Sequence, residues 1–259
     1  MVDRFLSGVP GPQIEEILNA APGDEIRSGK FDSPESSAAL AVNTFGYFLN
    51  RAQDLPPLPG CEQEAWPATS LTLEEKVRFP WKGGSHPHLD VLITTPSALI
   101  GIESKRFEPF RDRKKRKKPH FSVAYWRRVW GNRMQGYEGI RDRLRDNREL
   151  YTSLDAAQLV KHAFALRTQV NQKAECQDLT PILFYLYAEP AIWPKSCVLV
   201  DQEMKRRHRK EIETFAKEVE GDEVRFISYS YRELLANWKQ SGVTEIQAHA
   251  EAVIQRFSP

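Results

Sequence analysis

The chain has 259 residues, 41% hydrophobic and 28% charged, enough apolar material to bury a substantial core and a composition unlike that of a disordered or fibrous protein. No stretch approaches the roughly 20 apolar residues that cross a bilayer, and three scattered cysteines (Cys61, Cys176, Cys197) suggest neither a disulfide framework nor a cysteine zinc site. The net charge of +2 hides an uneven distribution: Lys105 to Arg148 holds 16 Lys/Arg against 5 Asp/Glu, a balance of +11 that leaves −9 for the remainder.

A basic face on a mildly acidic body is the footprint of a polyanion binder, because each Lys or Arg that meets a phosphate releases condensed counterions. The start, MVDRFLSGVPGPQ, lacks a basic segment followed by a long apolar run. One domain spanning 1–259 in the cytoplasm, with no membrane association, is therefore expected.

In chain order, Gln13 to Ala20 reads as a short amphipathic helix ended by Pro22-Gly23. Ser33 followed by Pro34 reads as an N-cap with proline at the first helical position, and Leu40, Phe45, Phe48 and Leu49 then recur at helical spacing. Lys76 to Phe79 alternates like a half-buried strand. His88–Thr94 and Leu99–Lys105 are short runs rich in Ile, Leu and Val, joined by Thr95-Pro-Ser-Ala98, and predict a β-hairpin. An aromatic and arginine-rich helical region is expected over about 121–150 and another helix over 154–170. Pro181 to Ala188, the most apolar run, reads as a buried central strand. A charged helix (201–218), a strand (223–229) and helices over 231–239 and 244–257 complete the chain. Strands joined partly by a hairpin and partly through helices predict an α/β fold, a mixed sheet with helices on both sides.

The chemistry centres on the hairpin. In Leu99-Ile-Gly-Ile-Glu-Ser-Lys105, strand periodicity puts Ile100, Ile102 and Ser104 on one face, and Glu103 and Lys105 on the other. With Pro96 and Ser97 central in the turn, paired positions sum to 193, which sets Asp90 opposite Glu103 with Cβ atoms roughly 5 Å apart. Two facing carboxylates repel unless something positive lies between them. Mg²⁺, with Mn²⁺ as a possible substitute, suits that place, since it takes hard oxygen ligands and commonly uses one or two carboxylates plus substrate oxygens. Lys105 beside it could orient or deprotonate a water and stabilise developing charge, so hydrolysis of a phosphodiester is the expected reaction.

Leu89-Asp90 followed by Glu103-Ser-Lys105 resembles the signature of the PD-(D/E)XK nuclease superfamily over about residues 31–188, with 189–259 expected as a C-terminal α/β extension. The resemblance implies a restriction-endonuclease-like fold and a metal held by Asp90, Glu103 and the backbone carbonyl of Ser104. One departure is that the family often has proline before the aspartate, where this chain has Leu89. The resemblance also implies a glutamate on the preceding helix, matched by Glu35 in Ser33-Pro-Glu, although an acid in a first helical turn also complements the helix dipole. Gln135 is the match for a glutamine that some branches carry on the helix after the lysine.

For substrate contact, Arg127, Arg128 and Arg133 are candidate phosphate ligands, with Lys114 and Lys115 of the cluster Arg113–Lys118 tracking the backbone. Of the interleaved rings Tyr125, Trp126 and Trp130, two are expected to pack and one to remain available for stacking. A metal-dependent nuclease acting on nucleic acid, DNA before RNA, is the leading expectation, and a non-catalytic nucleic-acid-binding protein of the same fold is the alternative. His88-x-Asp90 also fits part of a two-histidine iron triad, which leaves Glu103, Lys105 and the basic segment unexplained. Double-strand cleavage by one site per chain would need a homodimer or two successive nicks.

Overall fold

The computed structural model of the protein describes residues 3–83, 85–111, 121–147 and 150–259. Five strands, β1 (Ser70–Lys76), β2 (His88–Thr94), β3 (Ala98–Lys105), β4 (Thr180–Tyr187) and β5 (Arg225–Ser230), form one sheet in the order β1-β2-β3-β4-β5. β1, β2 and β3 are antiparallel neighbours, whereas β3–β4 and β4–β5 are parallel. Parallel pairing requires crossovers. α3 (Gln135–Asp146) and α4 (Ala156–Gln172) lie on the first, and α5 (Gln202–Glu218) on the second. α1 (Gly11–Ala20) and α2 (Ser37–Phe45) precede the sheet, and α6 (Tyr231–Lys239) and α7 (Thr244–Phe257) follow it.

Alternation along the strands builds two cores. Ile182, Phe184 and Leu186 of β4, with Ile100 and Ile102 of β3, join Leu40, Phe45, Leu234, Trp238 and Val253 on one face. Leu183, Tyr185 and Leu99 join Tyr137, Ile140, Val160, Phe164 and Phe215 on the other. The expected mixed sheet with helices on both sides is thus the observed one. Gly101 allows the close approach of α4: a Cβ there would come within 3.0 Å of Leu166 and 2.7 Å of Leu89. That contact seats α4 across β3.

Several boundaries differ from expectation for identifiable reasons. β1 ends where a strand was expected to begin, because the Leu71/Leu73 alternation pairs with β2 while Val77 keeps only an isolated backbone bond to the Pro87 carbonyl, 3.0 Å. α2 is capped by Ser36, whose Oγ accepts from Ala39 N at 3.0 Å, so Ser33, Pro34 and Glu35 form the turn before the helix. The region 121–150 is not one helix. A short 3₁₀ segment, Val123–Trp126, is separated from α3 by Gly131 at φ +75°, a conformation that ends a helix. No helix among the described residues is long and apolar enough to cross a membrane.

Candidate active site

The hairpin register is the expected one: Thr94 faces Leu99 and Val91 faces Ile102, where the paired ladder ends, and Asp90 and Glu103 are the next residue on each strand. Asp90 is partly exposed, and its Oδ2 accepts a 2.6 Å hydrogen bond from the Ser104 backbone N–H. The carboxylate therefore occupies a place that a strand carbonyl would otherwise fill.

A third acid, not anticipated from sequence, continues the row. The pairs Leu73–Val91 and Glu75–Leu89 lie on either side of Glu74 and Asp90, and the ladder skips these two residues. Glu74 has φ +50°, a left-handed conformation rare for a side chain of this size, and its carbonyl accepts from His88 Nδ1 at 3.0 Å. On the other side, Glu103 pairs along the sheet with Tyr185, whose hydroxyl is 2.9 Å from His208 Nε2. Glu74, Asp90 and Glu103 thus cross three strands side by side.

Glu103 is buried, 1% exposed. Its Oε1 is salt-bridged to Lys105 Nζ, and its Oε2 lies 3.1 Å from His162 Nδ1 on α4, close enough for an ion pair but not aligned as a hydrogen bond. His162 was not singled out for this site from the sequence, because its contact depends on α4 packing across β3. Burial alone would raise the Glu103 carboxyl; the Lys105 ammonium and His162 outweigh it and hold the group at about 2. Asp90 goes the other way, pushed well above the usual aspartate range by burial and then by the charges of Glu103 and Glu74. Glu74 is raised to about 7 by burial and by Glu103. Burial opposes the charge on Lys105, but Glu103, Glu108 and Asp90 together raise its pKa, so it remains an ammonium.

The surroundings fix this group from both cores. Ser104 Oγ lies 2.7 Å from the Tyr231 hydroxyl of α6. Glu108 accepts from Ser37 Oγ at 2.6 Å and from Arg106 N at 2.8 Å, tying β3 to the start of α2. Arg106, 6% exposed, donates to the Pro34 and Phe257 carbonyls.

The other predicted residues are scattered. Glu35 precedes α2 rather than lying in it, and its Oε2 is 3.2 Å from Arg111 Nη2. Gln135 opens α3 where Asp222 accepts from Tyr137 N at 3.0 Å, beside the start of β5 and at the opposite end of the sheet from Glu103. The same end holds Arg133, whose carbonyl accepts from Glu223 N at 2.6 Å. Arg127 and Arg128 are exposed, with Arg127 5.5 Å over Trp81 in the loop between β1 and β2, at the acidic end. Tyr125 and Trp130 are buried, as expected for two packing rings, and Trp126 is half-buried near Arg141 and Arg145, its Nε1 donating to Asp142 at 2.8 Å. Lys114 and Lys115 lie outside the described residues.

The fold, with acids and a lysine where an antiparallel hairpin meets a parallel strand, is a restriction-endonuclease-like arrangement. Residues 13–257 match the family described as Restriction Endonuclease associating with ARP, and the chain belongs to that family. No curated protein and no solved structure matches it.

Proposed function

We infer that this chain is a metal-dependent nuclease of the PD-(D/E)XK kind, cleaving phosphodiester bonds of nucleic acid, with DNA favoured over RNA. The observation that carries the reading is the carboxylate row: Asp90 faces Glu103 across the hairpin while Lys105 stays charged beside them. The fit to a hard divalent cation rests on donor chemistry. Asp90 is driven toward its neutral form by burial first and then by the charges of Glu103 and Glu74, and a bound cation would relieve the repulsion. Among the described residues no ready cluster of three His, Cys, Asp or Glu at ligand spacing occurs. Mg²⁺ or Mn²⁺, which commonly use only one or two carboxylates, would be held by Asp90, Glu103 and the Ser104 carbonyl. Such an ion supplies Lewis acidity and an acidified water.

The chain's own residues then have separable tasks. Asp90 and Glu103 set the acidic recess. Lys105, held protonated by the carboxylates, orients a water or phosphate oxygen and meets the charge that develops there, rather than serving as the base. His162 holds the buried carboxylate of Glu103 in place. Glu74 adds negative charge beside Asp90. Arg127 and Arg128 offer phosphate contacts at this end. Glu35 would have to leave Arg111 to join the recess, so its part is secondary.

The decisive experiment incubates the wild type, Asp90→Ala and Lys105→Ala with linear, circular and single-stranded DNA and with RNA, each with Mg²⁺ or Mn²⁺. Metal-dependent cleavage by the wild type, lost in both variants, is expected. Binding without cleavage of any substrate would leave a nucleic-acid-binding protein with a nuclease fold.

A further inference from the structure

Immediately beyond the catalytic end of β4, residues 189–200 fold back on themselves as a small hairpin. Ala188 N donates to the Lys105 carbonyl at 2.8 Å, so the hairpin leaves the sheet beside the proposed catalytic lysine. Its arms are pinned by Val200 N to Ala191 O at 2.9 Å and Trp193 N to Val198 O at 2.8 Å, with Ile192 bridged to Leu199. Trp193 packs on Phe107 at 5.0 Å, and Val200 is buried with Phe107 and Phe110. The base is thus rigid.

The arms present apolar side chains to solvent on either side of a turn that carries Lys195. Of the six large apolar side chains exposed among the described residues, three are here: Ile192 at 49%, Val198 at 58% and Leu199 at 71%. Single exposed apolar residues are ordinary, but three on one preformed twelve-residue hairpin mark an interaction site. The surroundings say of what kind. Lys195 at the turn, and Arg207 and Lys210 on the first turns of α5, are exposed and have no ion-pair partner among the described residues. Lys205 Nζ, 3.1 Å from the Glu189 carbonyl, fastens that helix to the hairpin's base. Ile192 also borders a cleft of about 1660 Å³ lined by Arg106, Arg232 and Arg256 together with Asp3, Asp32 and Glu189.

We propose that the 189–200 hairpin is a wedge that enters the base stack of a nucleic-acid duplex held at the acidic site, with Lys195, Arg207 and Lys210 meeting the flanking phosphates. Apolar side chains inserted between base steps unstack and bend a duplex, and cations beside them hold the deformed backbone. A wedge adjoining the catalytic strand opens the helix next to the phosphate to be cut, and the cleft beside Ile192 receives the displaced nucleotide. This inference rests on the nuclease reading.

The test uses the full chain without divalent metal, so that binding is read apart from cleavage, and a labelled duplex carrying 2-aminopurine at successive positions. For the wild type, anisotropy should report binding and the fluorescence of one or two neighbouring aminopurines should rise as they unstack. In Ile192→Ser/Leu199→Ser, both exposed positions that leave the core intact, the fluorescence rise should be lost while phosphate-driven binding and its salt dependence persist. Lys195→Ala/Lys210→Ala should shift the salt dependence of binding instead. Wild-type binding with no aminopurine signal, or a signal undiminished in the serine variant, overturns the wedge alone. A change of oligomeric state in the serine variant with the signal intact reassigns the hairpin to contact between copies. Failure of the wild type to bind duplex overturns the wedge, and only the further absence of cleavage of any DNA or RNA with Mg²⁺ or Mn²⁺ removes the nuclease reading with it.

Discussion

Two groups of carboxylates in this molecule are built on opposite principles. Glu211 of α5 accepts from Thr152 N (2.8 Å), Thr152 Oγ1 (2.7 Å), Ser153 N (2.6 Å) and Leu154 N (2.8 Å), which surround it with donors and fasten the approach to α4. Glu74, Asp90 and Glu103 instead lie on three neighbouring strands, where the charge of Glu103 bears on both other acids. A carboxylate facing N–H groups is complete as it stands and holds the fold together. Carboxylates crowded on neighbouring strands, of which only Glu103 is met by Lys105 and His162, leave an acidic recess, the place where the proposed function puts a cation.

The contrast makes predictions of opposite sign. The largest is Asp90→Asn, which keeps an acceptor for Ser104 N but removes a charge: cleavage should fall by about 10³-fold or more, while denaturant unfolding of the metal-free protein shows stability unchanged or raised. A parallel loss of stability would put Asp90 with Glu211. Next, Glu211→Ala should cost about 2–4 kcal/mol in the same unfolding assay, because three backbone donors and a hydroxyl lose a charged acceptor, while activity per folded molecule persists.

A third effect is pH-dependent. The Glu74 carboxyl is raised from 4.5 to about 7 in the folded chain, so its protonated form favours folding. Its contribution is complete below pH 4.5 and is lost as pH rises through about 7, an effect of at most about 3 kcal/mol that partial exposure reduces. Stability measured across that window without metal should decline, and Glu74→Gln should flatten the decline. An unchanged slope would place Glu74 outside the coupled row. The smallest effect is Tyr231→Phe, which removes the partner of Ser104 Oγ and should lower stability by about 1–2 kcal/mol.

The part of this site that lies within one hairpin was legible in the sequence. Strand alternation and a Pro-Ser turn were enough to fix the pairing that sums to 193 and to join Asp90 with Glu103 and Lys105, and α6 and α7 occupy the spans their periodicity suggested. What depends on distant packing was not. Glu74 sits where the Leu71/Leu73 alternation gives way to Glu-Glu-Lys, a run that looks like a solvated turn until β1 pairs with β2. His162 looks like one more residue of a core helix, and only the absence of a side chain at Gly101 brings α4 close enough for it to reach Glu103. Ser33-Pro34 imitates a helix start so well that the true cap, Ser36, is hidden three residues later. Gln135 does open the helix after the lysine, but which end of the sheet that helix begins at could not be read from distance along the chain.

The bond from Ser104 N to Asp90 has one more consequence. It wires a single backbone amide directly to the carboxylate at the centre of the recess. Whatever Asp90 takes up, a proton or a cation, must change the electron density that this amide sees. The Ser104 N–H is therefore a built-in gauge: its chemical shift and exchange rate would track the charge state of the recess without any label, and before any bond in a substrate is broken.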